Sequence, residues 1–471
     1  MGGKSGYRYL FKNIGLLTLS NFATKFLSFF LVPLYTNVLT TTEYGTFDLF
    51  NATIGVLLPI LTLNIQESVL RFSIDKKTSK EAIVSISTKY LLVSNLLVIA
   101  GLVVNQFFRV SSLVADYAVF FFLMFFIQSL AGVITCYIRG IDKIADLSVS
   151  SVITSAVTIC CNILFLVVFK WGLSGYFLAN IIGPIFQCMY LIIRSNFIKT
   201  IRLTKYEVEE KEMTSYSKPL IANSIAWWVN NVSDRYVIVF FCGLAENGIY
   251  SVAGKIPSIL NIFQTIFNQA WTLSAVKDFD PEDKNGFFTN TYKVYNGMMV
   301  ILCSAIIFAD KILAKFLYAK DFFVAWKYVP WLTIAILFGA LSGYIGGFFS
   351  AVKDSKIFAT STIMGAATNI ALNLIFTPFY GAIGAAVATA ICYFVVWAFR
   401  FFQSKKYIKL KINLRRDILT YILLVLQSII LLFIDGIEMY VVEGGVFLII
   451  CLLYVKDMKL ILNKIVRRKV V

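Results

Sequence analysis

The sequence predicts an all-α, polytopic membrane protein with about fourteen spanning helices, and three observations predict it. Apolar residues make up 59% of the 471, only 15% are charged, and mean hydropathy is +0.78. A soluble chain carries roughly 25% charged residues, so this one cannot cover itself with polar surface and lipid is its solvent. Runs of roughly 20 apolar residues recur along the whole chain. The lysines and arginines fall between those runs and not on one soluble face, so the net charge of +17 does not indicate nucleic-acid binding. In lipid every backbone polar group must bond internally, which makes helices the expected solution.

Taken in order, the predicted spans are 13–38, 44–70, 82–108, 115–138, 147–169, 173–197, 217–242, 245–275, 287–309, 326–351, 356–377, 382–403, 417–434 and 441–456, the last two being the shortest. Lys4, Arg8 and Lys12 precede the first run and no small-residue cleavage site follows it, so it reads as a span and not a removed leader. With the N-terminus cytoplasmic, 33 of the 43 lysines and arginines fall in inside segments and 6 outside; Lys25, Lys89, Arg235 and Lys255 fall within spans. That bias sets the orientation and places both termini in the cytoplasm, which needs an even number of spans.

The first six spans resemble the next six. "TEYGTFDLF" at 42–50 corresponds to "AENGIYSVA" at 245–253, "SLAGVITCYIRGIDK" at 129–143 to "ALSGYIGGFFSAVKD" at 340–354, and "WGLSGYFLAN" at 171–180 to "YGAIGAAVAT" at 380–389. The offsets of 203, 211 and 209 residues keep nearly one register. The expected organisation is a six-helix bundle at 1–198, a basic cytoplasmic linker at 199–216, a second bundle at 217–404, and an added helix pair with a basic tail at 405–471. Both halves start inside, so they are parallel repeats, a common transporter plan with the substrate site near mid-membrane. Gly339, Gly343 and Gly347 recur every fourth residue in the tenth span, where close helix packing is the plain explanation.

Ionisable residues within spans are functional candidates by default. Lys25 and Lys255 lie mid-span, too deep to snorkel easily, and suit a cavity that holds a phosphate or pyrophosphate. Arg235 adjoins Asp234, so a local ion pair competes with a ligand role there. Lys89 is expected to snorkel. Asp48 lies near the outer end of the second span. Glu67 and Arg71 lie near its inner end, spaced as a simple helix pair. Asp48, Glu67, Arg71 and Asp234 are the candidates for ion coupling or gating. Trp227, Trp228, Tyr250 and Trp271 are candidate sugar contacts, although aromatic rings serve more often as interface anchors.

Several classes are excluded. There is no histidine, hence no histidine metal ligand, and no metal site is expected. The eight cysteines lie in or beside apolar runs without a C-x-x-C pair and read as small packing residues. No phosphate-binding loop of the G-x-x-x-x-G-K-[ST] type occurs, and no long outer segment carries paired carboxylates, so no catalytic residue is assigned and an enzyme is not expected.

The stretches "SNFATKFLSFFLVPLYTNVLTTTEYGTFDLF" at 20–50, "QESVLRF" at 66–72, "KPLIANSIAWWVNNVSDRYVI" at 218–238, "GIYSVAGKIPSIL" at 248–260, "QAW" at 269–271 and "YGAIGAA" at 380–386 give the chain its family likeness. It resembles the polysaccharide transport (Wzx-type) flippases of the multidrug/oligosaccharidyl-lipid/polysaccharide exporter superfamily. The resemblance implies two six-helix bundles around a central cavity. It also implies alternating-access transfer of an undecaprenyl-pyrophosphate-linked oligosaccharide repeat unit from the cytoplasmic to the outer leaflet of the bacterial inner membrane, for O-antigen or capsule. Lys25 and Lys255 look equivalent to cavity cations of relatives, and Asp48 to an acidic residue early in the second span. The last two spans look like a pair that cradles a lipid tail in the lipid II flippases. Lys25 stands where arginine is common in that branch, which weighs against a lipid II substrate. The implied partners are the lipid-linked oligosaccharide, membrane lipid, a polysaccharide polymerase and a chain-length regulator, with no nucleic acid; the implied cofactor is none, or a coupled proton or sodium ion. Competing readings are a cation-coupled drug exporter of the same superfamily, a lipid II flippase, and a membrane-embedded polymerase or scaffold.

Overall fold

The computed structural model describes residues 29–75, 78–277 and 279–468. Among the described residues all regular structure is helical. Ten helices among the described residues are long and apolar enough to cross a membrane. The chain falls into two compact units, Met1–Trp228 and Val229–Val471, whose boundary lies inside one long helix.

The first unit holds α1 (Val32–Val38), α2 (Thr41–Leu61), α3 (Ile65–Ile74), α4 (Lys80–Phe108), α5 (Ala118–Gly140), α6 (Ile144–Asn162, continued as a π-helical turn over Ile163–Val168), α7 (Gly172–Ser195) and the first part of α8 (Glu207–Cys242). Thr40 starts α2 through a capping box: its hydroxyl accepts from Glu43 N at 3.2 Å, and Thr40 N donates to Glu43 Oε2 at 2.8 Å. The predicted second span is in fact two helices. Leu63 and Asn64 adopt left-handed backbone, and Asn64 Nδ2 donates to Ser224 Oγ at 3.2 Å. The short α3 that follows is fastened to α8 through Ser68 Oγ, which donates to Met213 O at 2.5 Å. Its apolar side joins a core of Ile65, Val69, Ile83, Ile134, Tyr137 and Leu191. Lipid tails are as apolar as these side chains, so tight packing and not burial from water holds such a core. The opposite face of α4 leaves Leu92, Leu96, Val103 and Phe107 exposed, as a lipid-facing surface requires.

The second unit continues from α8 through α9 (Leu244–Ala253), α10 (Ser258–Lys277), α11 (Phe287–Leu317), α12 (Val329–Ala351), α13 (Ser355–Ser404), α14 (Leu414–Phe433) and α15 (Gly436–Arg468). Its centre is α12: 78% of its most apolar stretch is buried, against 17% for α15. Around α12 lies an aromatic core in which Trp271 stacks on Tyr344 at 4.0 Å and Phe267 on Tyr295 at 3.8 Å. The 50-residue α13 is broken at Gly381, whose φ of 62° and ψ of −148° suit glycine alone, so one predicted pair of spans ends and begins there. The predicted outer segment at 310–325 is mostly helical: α11 runs to Leu317 and a 3-10 helix follows at Lys320–Lys327, so Lys311 and Lys315 are on a helix and not in a loop.

The internal repeat is visible in the backbone. Glu43 and Glu246 both sit in the first turn of a helix. Gly172 and Gly381, offset by 209 residues, have φ of 54° and 62°. Asp142 and Lys353, offset by 211, have φ of 63° and 59°. The same 6→1 bond closes each of those turns, Lys143 N to Ile138 O at 3.0 Å and Asp354 N to Phe349 O at 2.9 Å.

Candidate substrate and ion site

Of the predicted site residues, Lys25 lies outside the described residues. Lys255 is not inside a continuous helix. It occupies the break between α9 and α10, at residues 254–257, because Gly254 and Pro257 interrupt the hydrogen-bond ladder. Lys255 N donates to Val252 O at 2.9 Å, and its carbonyl accepts from Ser258 Oγ at 2.6 Å. The side chain is half-buried, and no carboxylate among the described residues pairs with it. Breaks of this kind in spanning helices are where transporters expose backbone and charge to a substrate.

Asp234, Arg235 and Tyr250 come together. Tyr250 OH donates to Asp234 Oδ2 at 2.5 Å, and Arg235 Nη1 lies 3.5 Å from Asp234 Oδ1 and donates to Asn231 O at 3.1 Å. Asp234 and Tyr250 are buried, while Arg235 keeps part of its guanidinium exposed. The contact forms because Gly243, at φ 87°, turns the chain between α8 and α9 and lays Tyr250 back along α8. Neutral polar residues of α13 complete the surroundings. Ser233 Oγ donates to Asn369 Oδ1 at 3.4 Å, Asn369 Nδ2 to Thr389 Oγ1 at 3.4 Å, and Asn373 Nδ2 to Asn369 O at 2.9 Å. Sequence reading passed over Asn369, Asn373 and Thr389 because it sought ionisable residues only. Two asparagines four apart within an apolar run were the signal that could have found them.

The remaining candidates each have their own surroundings. Asp48 is half-buried two turns into α2. Glu67 and Arg71 do not form the expected pair. Glu67 sits in the first turn of α3 and Arg71 in the last, each at the helix end that favours its charge, and Arg71 lies 3.9 Å from Asp75. Lys89 extends its largely exposed side chain to Glu210: its Nζ lies 2.7 Å from Glu210 Oε1, and Tyr90 OH donates to the same oxygen at 2.9 Å. The hydrogen bond from Lys89 holds the Glu210 carboxyl below its usual range. Trp227 is exposed, and Trp228 Nε1 donates to Ala52 O at 2.8 Å. Trp271 is committed to the core, its Nε1 donating to Tyr344 O at 2.8 Å. A cleft of about 520 Å³ opens on α3 and α8, lined by Phe72, Lys211, Glu212, Ser215 and Tyr216. All eight cysteines are free, and among the described residues no group of three or more acidic or cysteine side chains could hold a metal ion.

Residues 10–272 match the family described as polysaccharide biosynthesis protein. The probable low-salt glycan biosynthesis flippase Agl15 of Haloferax volcanii is 21% identical over 397 residues, which is 78% of each chain. Among solved structures, the lipid II flippase MurJ in an inward closed conformation superposes with a TM-score of 0.71 at 15% identity, covering 96% of this chain and 99% of that one. An inward-facing multidrug resistance transporter of the MATE family gives 0.63 at 14%, covering 83% and 95%. These two share the fold, and the proteins compared are flippases and transporters, not enzymes. The chain is therefore a multi-pass membrane protein of the polysaccharide biosynthesis protein family.

Proposed function

We propose that this protein flips an undecaprenyl-pyrophosphate-linked oligosaccharide repeat unit from the cytoplasmic to the outer leaflet of the bacterial inner membrane, by alternating access, for O-antigen or capsule synthesis. The observation that carries the reading is Lys255, a half-buried cation without a carboxylate partner at the break of a spanning segment, in a chain of the polysaccharide biosynthesis family. The break leaves the ammonium free to meet a pyrophosphate, with Lys25 and Arg235 as the further cations proposed to hold it. Agl15 supports a glycan lipid as the cargo class. A polymerase and a chain-length regulator are the partners such a cargo needs downstream.

Of the coupling candidates, Asp234 is the best placed. It is a buried carboxylate among hydroxyls and amides that could meet a proton or a sodium ion, whereas Glu67 is already favoured by its helix end. The extent of the likeness to MurJ keeps lipid II as the second cargo to be tested.

The deciding experiment depletes the protein in cells and asks which leaflet holds the lipid-linked oligosaccharide, using a membrane-impermeant sugar-modifying probe. Accumulation on the cytoplasmic side is expected, and Lys255→Gln should reproduce it. Normal delivery to the outer face, with heightened drug sensitivity, would replace this reading with the drug exporter. Accumulation of lipid II alone would identify that cargo instead.

A further inference from the structure

The added helices α14 and α15 pack on α11 through a ladder of buried polar groups. Its inner half is bonded around Asp417, one oxygen of which, Oδ2, is buried without a hydrogen-bond partner among the described residues. Asn296 Nδ2 donates to Tyr454 OH at 3.0 Å, Tyr421 OH to Asn296 Oδ1 at 2.9 Å, Tyr454 OH to Asp417 Oδ1 at 3.1 Å, and Arg416 lies against both Asp417 and Asp457. Its outer half stops short. Ser304 Oγ donates to Gln427 Oε1 at 2.7 Å, and Gln427 Nε2 donates to Glu443 Oε2 at 2.9 Å. Beyond that, Glu443 Oε1 and both carboxyl oxygens of Asp310 are buried with no hydrogen-bond partner among the described residues. Asp310 and Glu443 are each 0% exposed, and the charge of Glu443 acts on Asp310.

The two acids share a level. Asp310 precedes the end of α11 by seven residues and Glu443 follows the start of α15 by seven, so both lie roughly 10 Å inside the same end of the bundle. A Cβ at Gly444 would touch the Phe308 ring at 3.6 Å, which shows how closely α15 runs beside α11 here. The adjacent cation, Lys311, makes no hydrogen bond to either acid. Lys311 Nζ is turned to Asp435 Oδ1 at 2.7 Å and lies over the Trp326 ring at 4.3 Å. That pair keeps the exposed Asp435 carboxyl below its usual range, through the hydrogen bond first, so it stays ionised at the mouth. Of α14, neutral Gln427 is the residue bonded to Glu443, and Lys311 and Glu443 are the charged groups that act on Asp310.

Three carboxyl oxygens with no donor, in a lipid-embedded bundle, do not fit a pair of bare anions. Like charges raise each other's cost, and burial raises both. A proton resolves this: it converts an acceptor-only carboxylate into a hydroxyl donor where the chain provides none. We propose that Asp310 and Glu443 form a proton-binding site that fastens α15 to α11 when loaded. The proton comes from water at the Lys311–Asp435 end, forms an O–H bond on one carboxyl oxygen, and returns to water when the site empties. This site is separate from Asp234 and does not depend on what the protein carries.

Infrared difference spectroscopy of the full chain in phosphatidylcholine nanodiscs tests it. At neutral pH the wild type should show the C=O stretch of a protonated carboxyl, shifted in D2O and unchanged when KCl replaces NaCl. Asp310→Asn and Glu443→Gln, which preserve shape, should each remove or shift that band. Two folded variants with wild-type carboxyl bands would overturn the proposal. So would a band that NaCl abolishes, since the site would then hold sodium. If Asp310→Asn fails to fold, Glu443→Gln and the salt exchange still decide.

Discussion

Arg400 illustrates how much a single residue's surroundings change its meaning. By its position at the end of an apolar run it counts as one more cytoplasmic cation. In the fold it is buried, and its guanidinium spreads over three neutral acceptors: Ser361 Oγ at 2.8 Å, Ser342 O at 3.1 Å and Thr362 Oγ1 at 3.3 Å. The Phe358 ring lies 4.2 Å from its Cζ and supplies the remaining contact. A planar fork reaches all three oxygens at once, and an ammonium cannot. Arg400→Lys should therefore lower stability by about 1.5–3 kcal/mol, the worth of one hydrogen bond to a charged group, and a thermal melt in detergent will read it. A melt within experimental error of wild type would mean that the fork is not needed. Asp234 teaches the converse lesson. Its place in a span and its neighbour Arg235 were legible from sequence, because both follow from counting along one helix. Its bond to Tyr250 was not, because sixteen residues and the Gly243 turn intervene.

At the scale of elements, apolar run length located the helices well, and punctuation within the runs was the harder part. The stretch 245–275 reads as one span, yet Gly254 and Pro257 divide it; 44–70 reads as one, yet Leu63 and Asn64 turn the chain. Such breaks depend on backbone geometry that hydropathy does not encode. The opposite case is Gly381, where the ladder appears continuous over 50 residues but the backbone reverses into a region closed to side chains. Gly381→Ala should cost about 1–3 kcal/mol, because a Cβ there is strained even though the nearest atom, Cys242 Sγ, is 3.9 Å away. The penalty is conformational and not steric, so Cys242→Ala should fail to rescue it. Full rescue in a melt of the double variant would show that crowding was the cause.

For the molecule as a whole, orientation is the property that sequence specifies most directly and coordinates least. Charge is read during insertion, when loops bearing lysine and arginine stay inside, and no feature of the folded helices records it afterwards. The bias of 33 against 6 does not hang on any one loop. It predicts that the turn after α4, where Ser111 N bonds to Asn105 Oδ1 at 2.8 Å, lies outside, and that the turn after α5, where Lys143 Nζ donates to Arg194 O at 2.7 Å, lies inside. In a variant lacking the native cysteines, Ser112→Cys should react with a membrane-impermeant maleimide added to intact cells. Asp142→Cys should react only after permeabilisation. Both sites lie in short connections within one unit, so α5 alone separates them. Labelling of Asp142→Cys in intact cells and not of Ser112→Cys would invert the protein, and with it the direction in which Lys255 and the proton site at Asp310 face the two solutions. Labelling of both would mean that α5 does not span.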